Sequence, residues 1–328
     1  MTHPAPFGPD AAALPTIADL HAARARIGAH VRRTEILRDD TLDAETGATL
    51  FFKCENLQPP GSFKVRGACN AVLGLSEGQA AHGVATHSSG NHAAALAYAA
   101  GRRGIPCHVV MPETAPRAKR ARALAYGARI TECAPSTAAR EATLADLVAA
   151  TGAEAVHPYD DIRVIAGQAS CAMELVEQVP GLDVVIAPVG GGGLIAGTCL
   201  ALADLAPCVA VYAAEPAQAD DAARSFRAGR LVQGADAPVT VADGLKAPIR
   251  ERTWQVIARH VTDISTATEA EIVEAMRLSW DRLKQTIEPS CAVPLAVIRA
   301  RPEVFAGKRV GVILTGGNVD LDRLPWME

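Results

Sequence analysis

No long hydrophobic run, no basic stripe and no paired-cysteine motif occurs in these 328 residues. The apolar runs fall short of the roughly 20 residues that cross a bilayer, so no membrane partner is expected. The net charge is -4 and no basic stripe runs along the chain, so nothing points to a nucleic-acid binder. The first residues, Met1-Thr2-His3-Pro4, lack a charged segment followed by an apolar one, so no secretory signal is expected. Eight cysteines are scattered with no C-x-x-C spacing, which argues against a zinc site or a disulfide framework. Cys54, Cys69, Cys107 and Cys199 fall in apolar patterns, as buried free thiols of a reducing compartment would, and the cytoplasm is the expected location. There is no internal repeat and no long linker. The chain stops soon after its last apolar strand pattern, Val310–Leu314, so no C-terminal regulatory domain is expected. What remains is an ordinary globular composition, 49% hydrophobic and 21% charged, long enough for one large or two medium domains.

Short β-rich runs alternate with longer alanine-rich helical ones. Val84-Ala85-Thr86 leads into a helix over 93–100, Cys107–Met111 into 117–125, and Arg129–Cys133 into 138–150. Val184–Ala187 leads into 194–205, and Val209–Ala213 follows. Glycine and proline mark the joints at Gly104-Ile105-Pro106 and Val179-Pro180-Gly181. This rhythm predicts an α/β protein with parallel sheets flanked by helices on both faces, and the length predicts two sheets.

The most informative segment is Gly61-Ser62-Phe63-Lys64-Val65-Arg66-Gly67-Ala68. It places a lysine in a small-residue loop, after the apolar strand 50–54 and before a helical pattern over 68–75. A lysine at a helix start is commonly a solvated surface residue; here the loop offers an amine to an aldehyde cofactor. The segment resembles the Schiff-base lysine of fold-type II pyridoxal-phosphate enzymes, in particular the serine/threonine dehydratase and serine racemase family. The resemblance implies that Lys64 anchors pyridoxal 5'-phosphate, with Phe63 packed against its ring and the cofactor acting as electron sink. It also implies a two-domain architecture: residues 83–160 form a small substrate-binding domain inserted into a large cofactor-binding domain made of 1–82 and 161–328.

Further segments fit the same site. Thr86-His87-Ser88-Ser89-Gly90-Asn91-His92 lies between a strand and a helix, where free backbone N–H groups attract an anion. Without Lys64, a capping turn would be the better reading of it. The resemblance implies that Ser88, Ser89, Gly90 and Asn91 grip the substrate α-carboxylate, and that Asn91 meets the cofactor's phenolic oxygen. Gly190-Gly191-Gly192-Gly193-Leu194 opens a helix after a strand. It begins like a dinucleotide turn, but Ile195 stands where the third glycine belongs, and a phosphate cup is the better reading. Thr315-Gly316-Gly317-Asn318 follows the last strand, and the resemblance puts the Thr315 hydroxyl opposite the pyridine nitrogen. A hydroxyl there leaves the ring a weaker electron sink than a carboxylate would, which favours fast loss of a β-leaving group. Glu215-Pro216-Ala217-Gln218-Ala219-Asp220-Asp221 is either a solvated acidic turn or an oxygen-rich cation site. It is similar to the magnesium or calcium site of serine racemases, with Glu215, the Ala219 carbonyl and Asp221 as ligands to Mg2+, or to Ca2+ or Mn2+.

The departures narrow the reading. Threonine dehydratases often carry Ala-Gly where Ser88-Ser89 stand; the serine pair is similar to serine racemases and to the hydroxyaspartate dehydratases close to them. Ser89 would face the ring opposite Lys64, an arrangement that permits racemisation without enforcing it. Pro59-Pro60 replace a Lys-Thr pair through which animal serine racemases bind a nucleotide, so no nucleotide activation is expected. Arg140 either holds a second substrate carboxylate through a bidentate pair or is a helix-surface arginine. The expected function is a pyridoxal-phosphate-dependent ammonia-lyase that dehydrates L-serine, L-threonine or 3-hydroxyaspartate, as a homodimer. The competing readings are an amino-acid racemase using Lys64 and Ser89, a binding protein that has lost its chemistry, and a nucleotide-dependent oxidoreductase.

Overall fold

The computed structural model describes residues 13–88, 90–115, 117–235 and 238–327. Ser89 and the N-terminal stretch Met1–Pro4, both singled out in the sequence, lie outside the described residues. Ten strands are found among the described residues: β1 (Ile36–Leu37), β2 (Thr49–Lys53), β3 (Val84–His87), β4 (Cys107–Pro112), β5 (Arg129–Cys133), β6 (Glu154–Ala155), β7 (Val184–Pro188), β8 (Ala210–Pro216), β9 (Val261–Ala267) and β10 (Arg309–Ile313). They form a six-stranded sheet of order β1-β2-β10-β7-β8-β9 and a four-stranded sheet of order β5-β4-β3-β6. Every pairing is parallel except β1 with β2. The expected α/β architecture with helix-flanked parallel sheets is what the chain adopts.

Residue chemistry explains why both faces of the large sheet are covered. Successive side chains of a strand point to opposite faces. In β7, Val185 and Ala187 enter one apolar core and Val184 and Ile186 the other. A strand apolar on both faces needs helices on each side, the usual state of parallel sheets. The helix Ile162–Gln178 covers one face and is buried along twelve consecutive residues from Val164 to Leu175. The small sheet repeats the scheme on a lesser scale, with Val109 and Met111 on one side and Val110 on the other. Cys54, Cys69, Cys107 and Cys199 are buried free thiols, as expected. No helix among the described residues is long and apolar enough to cross a membrane.

Two local expectations are corrected. Lys64 does not sit in a loop ahead of a helix at residue 68. The helix runs Lys64–Leu73, so the lysine opens its first turn. The reversal happens earlier, at Gly61, whose φ of +78° an L side chain rarely adopts. The early turn is pinned by Arg66, which is fully buried and binds Glu55 and Glu174. The acidic segment does not follow its strand either: Glu215 and Pro216 are the last two residues of β8, and Asp221 opens the helix Asp221–Ala228.

Candidate active site

In open α/β sheets, ligands gather at the carboxyl ends of the strands. Each segment singled out in the sequence falls there. β2 leads to Lys64, β3 to Ser88, β7 to the tetraglycine, β8 to Asp221 and β10 to Thr315.

The lysine segment and the Thr-Gly-Gly-Asn segment are stitched together. Phe63 N–H donates to the Thr315 carbonyl at 3.0 Å and Gly317 N–H to the Gly61 carbonyl at 3.0 Å. The Asn318 amide donates to the Pro60 carbonyl and to Asn91 Oδ1, both at 2.8 Å. One side chain therefore joins the lysine turn, the last strand's loop and the helix that follows β3. A Cβ at position 61 would lie 2.1 Å from Asn318 Oδ1, so only glycine admits this amide.

Lys64 retains partial exposure, yet its amine reaches inward and donates to the Pro158 carbonyl at 2.9 Å. Burial lowers its pKa to about 8, against an opposing pull from Glu288. Glu288 is 4% exposed, and burial raises its pKa while Lys119 opposes. Its Oε1 accepts from the Asn91 amide at 2.6 Å. Asn91 is thus committed on both sides, to Glu288 and to Asn318. Lys119 also pairs with Asp243.

The tetraglycine forms a tight cup at the N-terminus of the helix Gly193–Leu205. A Cβ at 190 would meet the Leu245 backbone at 2.9 Å, and one at 193 the Tyr159 carbonyl oxygen at 2.9 Å. At 191 it would enter the Tyr159 ring, 2.3 Å from Cγ. The first turn of a helix leaves N–H groups without intrahelical acceptors, and the dipole favours negative charge. A bare glycine cup there fits a phosphate, and a buried amine that is half neutral near pH 8 fits an aldehyde carbonyl. The chain's residues therefore fit pyridoxal phosphate, with the Lys64 amine suited to an aldehyde and the Gly190 to Leu194 cup suited to a phosphate.

A ring of aromatic and basic groups borders Lys64. His157 packs edge-on against His87 at 5.9 Å and against Tyr159 at 4.5 Å between centroids. Burial lowers the pKa of His87 to about 4 and that of His157 well below its ordinary value, keeping both neutral. Burial raises the Tyr159 hydroxyl to about 12, against an opposing pull from the nearby Arg250 guanidinium. Arg250 pairs with Glu141 at 2.9 Å. The neighbouring Arg140 directs Nε back to the Ser136 carbonyl at 3.4 Å, on its own helix, while its charge is felt at His87.

At the acidic segment, Glu215 accepts from the Ala222 N–H at 3.1 Å and the Ala223 N–H at 2.7 Å. Asp221 Oδ2 accepts from the Ile249 N–H at 2.9 Å. Burial raises both carboxyls, Glu215 well above its ordinary value, and the Asp221 charge raises Glu215 further. No group of three or more His, Cys, Asp or Glu side chains that could hold a metal occurs among the described residues. The expected set has only two carboxylates and a carbonyl, and both carboxylates accept backbone N–H bonds.

Sequence reasoning missed Glu288, Tyr159, His157 and Arg250. Only Glu288 carried a local signal, since Pro289 after it starts the helix Pro289–Ala300.

A lysine amine near a glycine cup at the carboxyl ends of parallel strands suits an enzyme that uses a phosphorylated aldehyde. A family model described as pyridoxal-phosphate dependent enzyme matches residues 27–316, and the chain belongs to that family. It is 63% identical over 313 residues to beta-hydroxyaspartate dehydratase of Paracoccus denitrificans (strain Pd 1222), covering 95% of this chain and 99% of the relative. It is 43% identical over 315 residues to serine racemase of Dictyostelium discoideum, covering 94% and 96%. The solved structure of maize serine racemase superposes with a TM-score of 0.92 at 40% identity, covering 94% of this chain and 95% of that one.

Proposed function

We propose that the protein is a pyridoxal-phosphate-dependent ammonia-lyase that eliminates water from a β-hydroxy amino acid, with 3-hydroxyaspartate as its substrate. The observation that carries this is the amine of Lys64, buried beside a glycine phosphate cup, in a chain 63% identical to a protein named beta-hydroxyaspartate dehydratase. Pyridoxal phosphate, when bound, supplies a conjugated sink for the electron pair left at the substrate Cα.

The chain's own residues do the rest. Backbone N–H groups of Gly190 to Leu194 hold the phosphate, Phe63 supports the ring, and the Thr315 hydroxyl faces its nitrogen. Ser88, Ser89, Gly90 and Asn91 hold the α-carboxylate, and Arg140 approaches the second one. Lys64 takes the Cα proton at Nζ as general base, which a pKa near 8 favours at neutral pH. The protonated Nζ then returns a proton to the departing β-hydroxyl oxygen, which leaves as water. The released enamine tautomerises and takes up water to give a 2-oxo acid and ammonia. Ser89 is the acid–base group on the opposite face.

Residues 1–82 with 161–328 form the large domain and 83–160 the small one, which closes over the substrate. The strands of the four-stranded sheet all lie within 84–155, which supports that division. Glu215, the Ala219 carbonyl and Asp221 hold Mg2+ or a similar cation, supported by the raised pKa of both carboxyls. The protein works as a homodimer in the cytoplasm. The test is ammonia and 2-oxo acid release from the 3-hydroxyaspartate stereoisomers, L-serine and L-threonine. A preference for serine or threonine would move the substrate assignment to that amino acid.

A further inference from the structure

We propose that Arg250 reads the distal carboxylate of the substrate, together with the Tyr159 hydroxyl, and that Glu141 occupies the guanidinium until that carboxylate arrives. This rests on the dicarboxylate reading above and names a residue for it.

Arg250 is well placed for the task. It caps the helix Glu251–His260, and its own backbone N–H is held by Thr253 Oγ1 at 3.1 Å, so the root of the side chain is fixed. Its guanidinium stands between two elements near Lys64. On one side its charge is felt at the Tyr159 hydroxyl, whose ring lies against Gly191 of the phosphate cup. The preceding carbonyl, that of Pro158, holds the Lys64 amine. On the other side it pairs with Glu141, on the helix Thr137–Thr151 that covers the small sheet. Arg250 thus stands one residue, Tyr159, away from the cup and two, Tyr159 and Pro158, away from the lysine.

The charges at this end favour an added anion. Arg140 and Arg250 are its cations, since His87 and His157 are kept neutral by burial. Glu141 faces them, while Asp160 is engaged by Arg252 at 3.2 Å. The Arg250–Glu141 pair is 37% and 39% exposed, and an ion pair so open to water contributes little and exchanges readily. A substrate carboxylate can therefore displace Glu141. The planar fork of arginine then binds it through two N–H groups, with the phenol O–H as a third donor. L-Serine offers no such group, so the contact discriminates between substrates.

The test compares binding of succinate and butyrate, four-carbon acids that differ in the distal carboxylate, to the holoenzyme by titration calorimetry. The wild type should prefer succinate. Arg250→Gln should weaken succinate by about 10- to 100-fold, the scale of losing a hydrogen-bonded charged contact, and Arg250→Lys should restore part of it. Butyrate should move much less. Glu141→Gln should tighten succinate, because the guanidinium no longer has to leave a protein carboxylate. The ratio of kcat/KM for 3-hydroxyaspartate over L-serine should follow the same order. A merely structural strut between the two helices predicts the same direction of change for Arg250→Gln and Glu141→Gln, and that result would overturn the proposal. If Arg250→Gln fails to fold, judged by melting temperature and the visible cofactor band, Glu141→Gln and Tyr159→Phe decide: succinate unchanged in both overturns it. A wild type without any preference for succinate removes the dicarboxylate reading itself. A preference that survives Arg250→Gln leaves that reading in place and ends this one.

Discussion

Replacing Gly191 by alanine isolates the phosphate cup from the rest of the site. The new Cβ would lie 2.3 Å from Tyr159 Cγ and 2.4 Å from both Cδ atoms. Ordinary contact begins near 3.4 Å, so ring and cup must part by about 1 Å, an overpacking step that costs roughly 1–3 kcal/mol. The ring has little room to yield. On one side of it in the chain the Asp160 N–H donates to His157 Nδ1 at 2.9 Å, and on the other the Pro158 carbonyl holds Lys64. The cup moves instead, and the strain falls on the phosphate seat. The dissociation constant for pyridoxal phosphate, measured by equilibrium dialysis, should then rise about 5- to 150-fold, since about 1.4 kcal/mol is tenfold. Gly78→Ala is the control: nothing lies within 4 Å of its Cβ, it has no positive φ, and it sits in the helix Glu77–Ala81. That substitution should hold or slightly raise the melting temperature. Wild-type cofactor affinity in Gly191→Ala would refute the placement of the phosphate against Tyr159.

Lys64→Ala should lose the visible cofactor band and turnover while keeping its circular dichroism; retention of the band would remove Lys64 as the anchor. Because burial lowers the Lys64 pKa from 10.5 to about 8, the neutral amine dominates above about pH 8. Uptake of pyridoxal phosphate by the apoprotein should therefore quicken up to that pH and level off, whereas a rise continuing to pH 10 would mean an ordinary solvated lysine. Chelation of divalent cations should lower the melting temperature, with Mg2+ or Ca2+ restoring it. The folded Glu215 has a raised pKa, so the cation-free protein should lose stability as pH rises from the ordinary carboxylate range towards that value; no change on chelation would leave the acidic segment without a metal. Arg66→Met should cost roughly 3–5 kcal/mol in denaturant unfolding, because it strands the buried charge of Glu55 and leaves Glu174 with Lys53 alone; a loss below about 1 kcal/mol would mean that the Glu55 charge is not confined.

The parts of the site that were legible in the sequence are those whose chemistry is local. A lysine after Ser-Phe, four consecutive glycines after an apolar strand, and Thr-Gly-Gly-Asn each stand out within a few residues of chain, and each falls at a strand's carboxyl end. The parts that were not legible depend on distant partners. Asn91 meets Glu288 across 197 residues, and Arg66 meets Glu174 across 108. No periodicity reveals such a pair. The true helix start at Lys64 was hidden for a different reason: its cap residue is Phe63, which makes no side-chain cap bond, so the usual polar signal is missing. Tyr159 and Arg250 gave no signal because neither sits in a ligand-shaped motif; they matter only because the fold stacks one on Gly191 and aims the other at it.

The most direct test of the central claim is the rate of ammonia release from 3-hydroxyaspartate by the wild-type holoenzyme beside Lys64→Ala, with L-serine and L-threonine in parallel. The account predicts ammonia and 2-oxo acid in equal amounts, a higher kcat/KM for 3-hydroxyaspartate than for the two monocarboxylic substrates, and no release above background in Lys64→Ala. Absence of ammonia from all three substrates with the wild type, or undiminished release in Lys64→Ala, would contradict it.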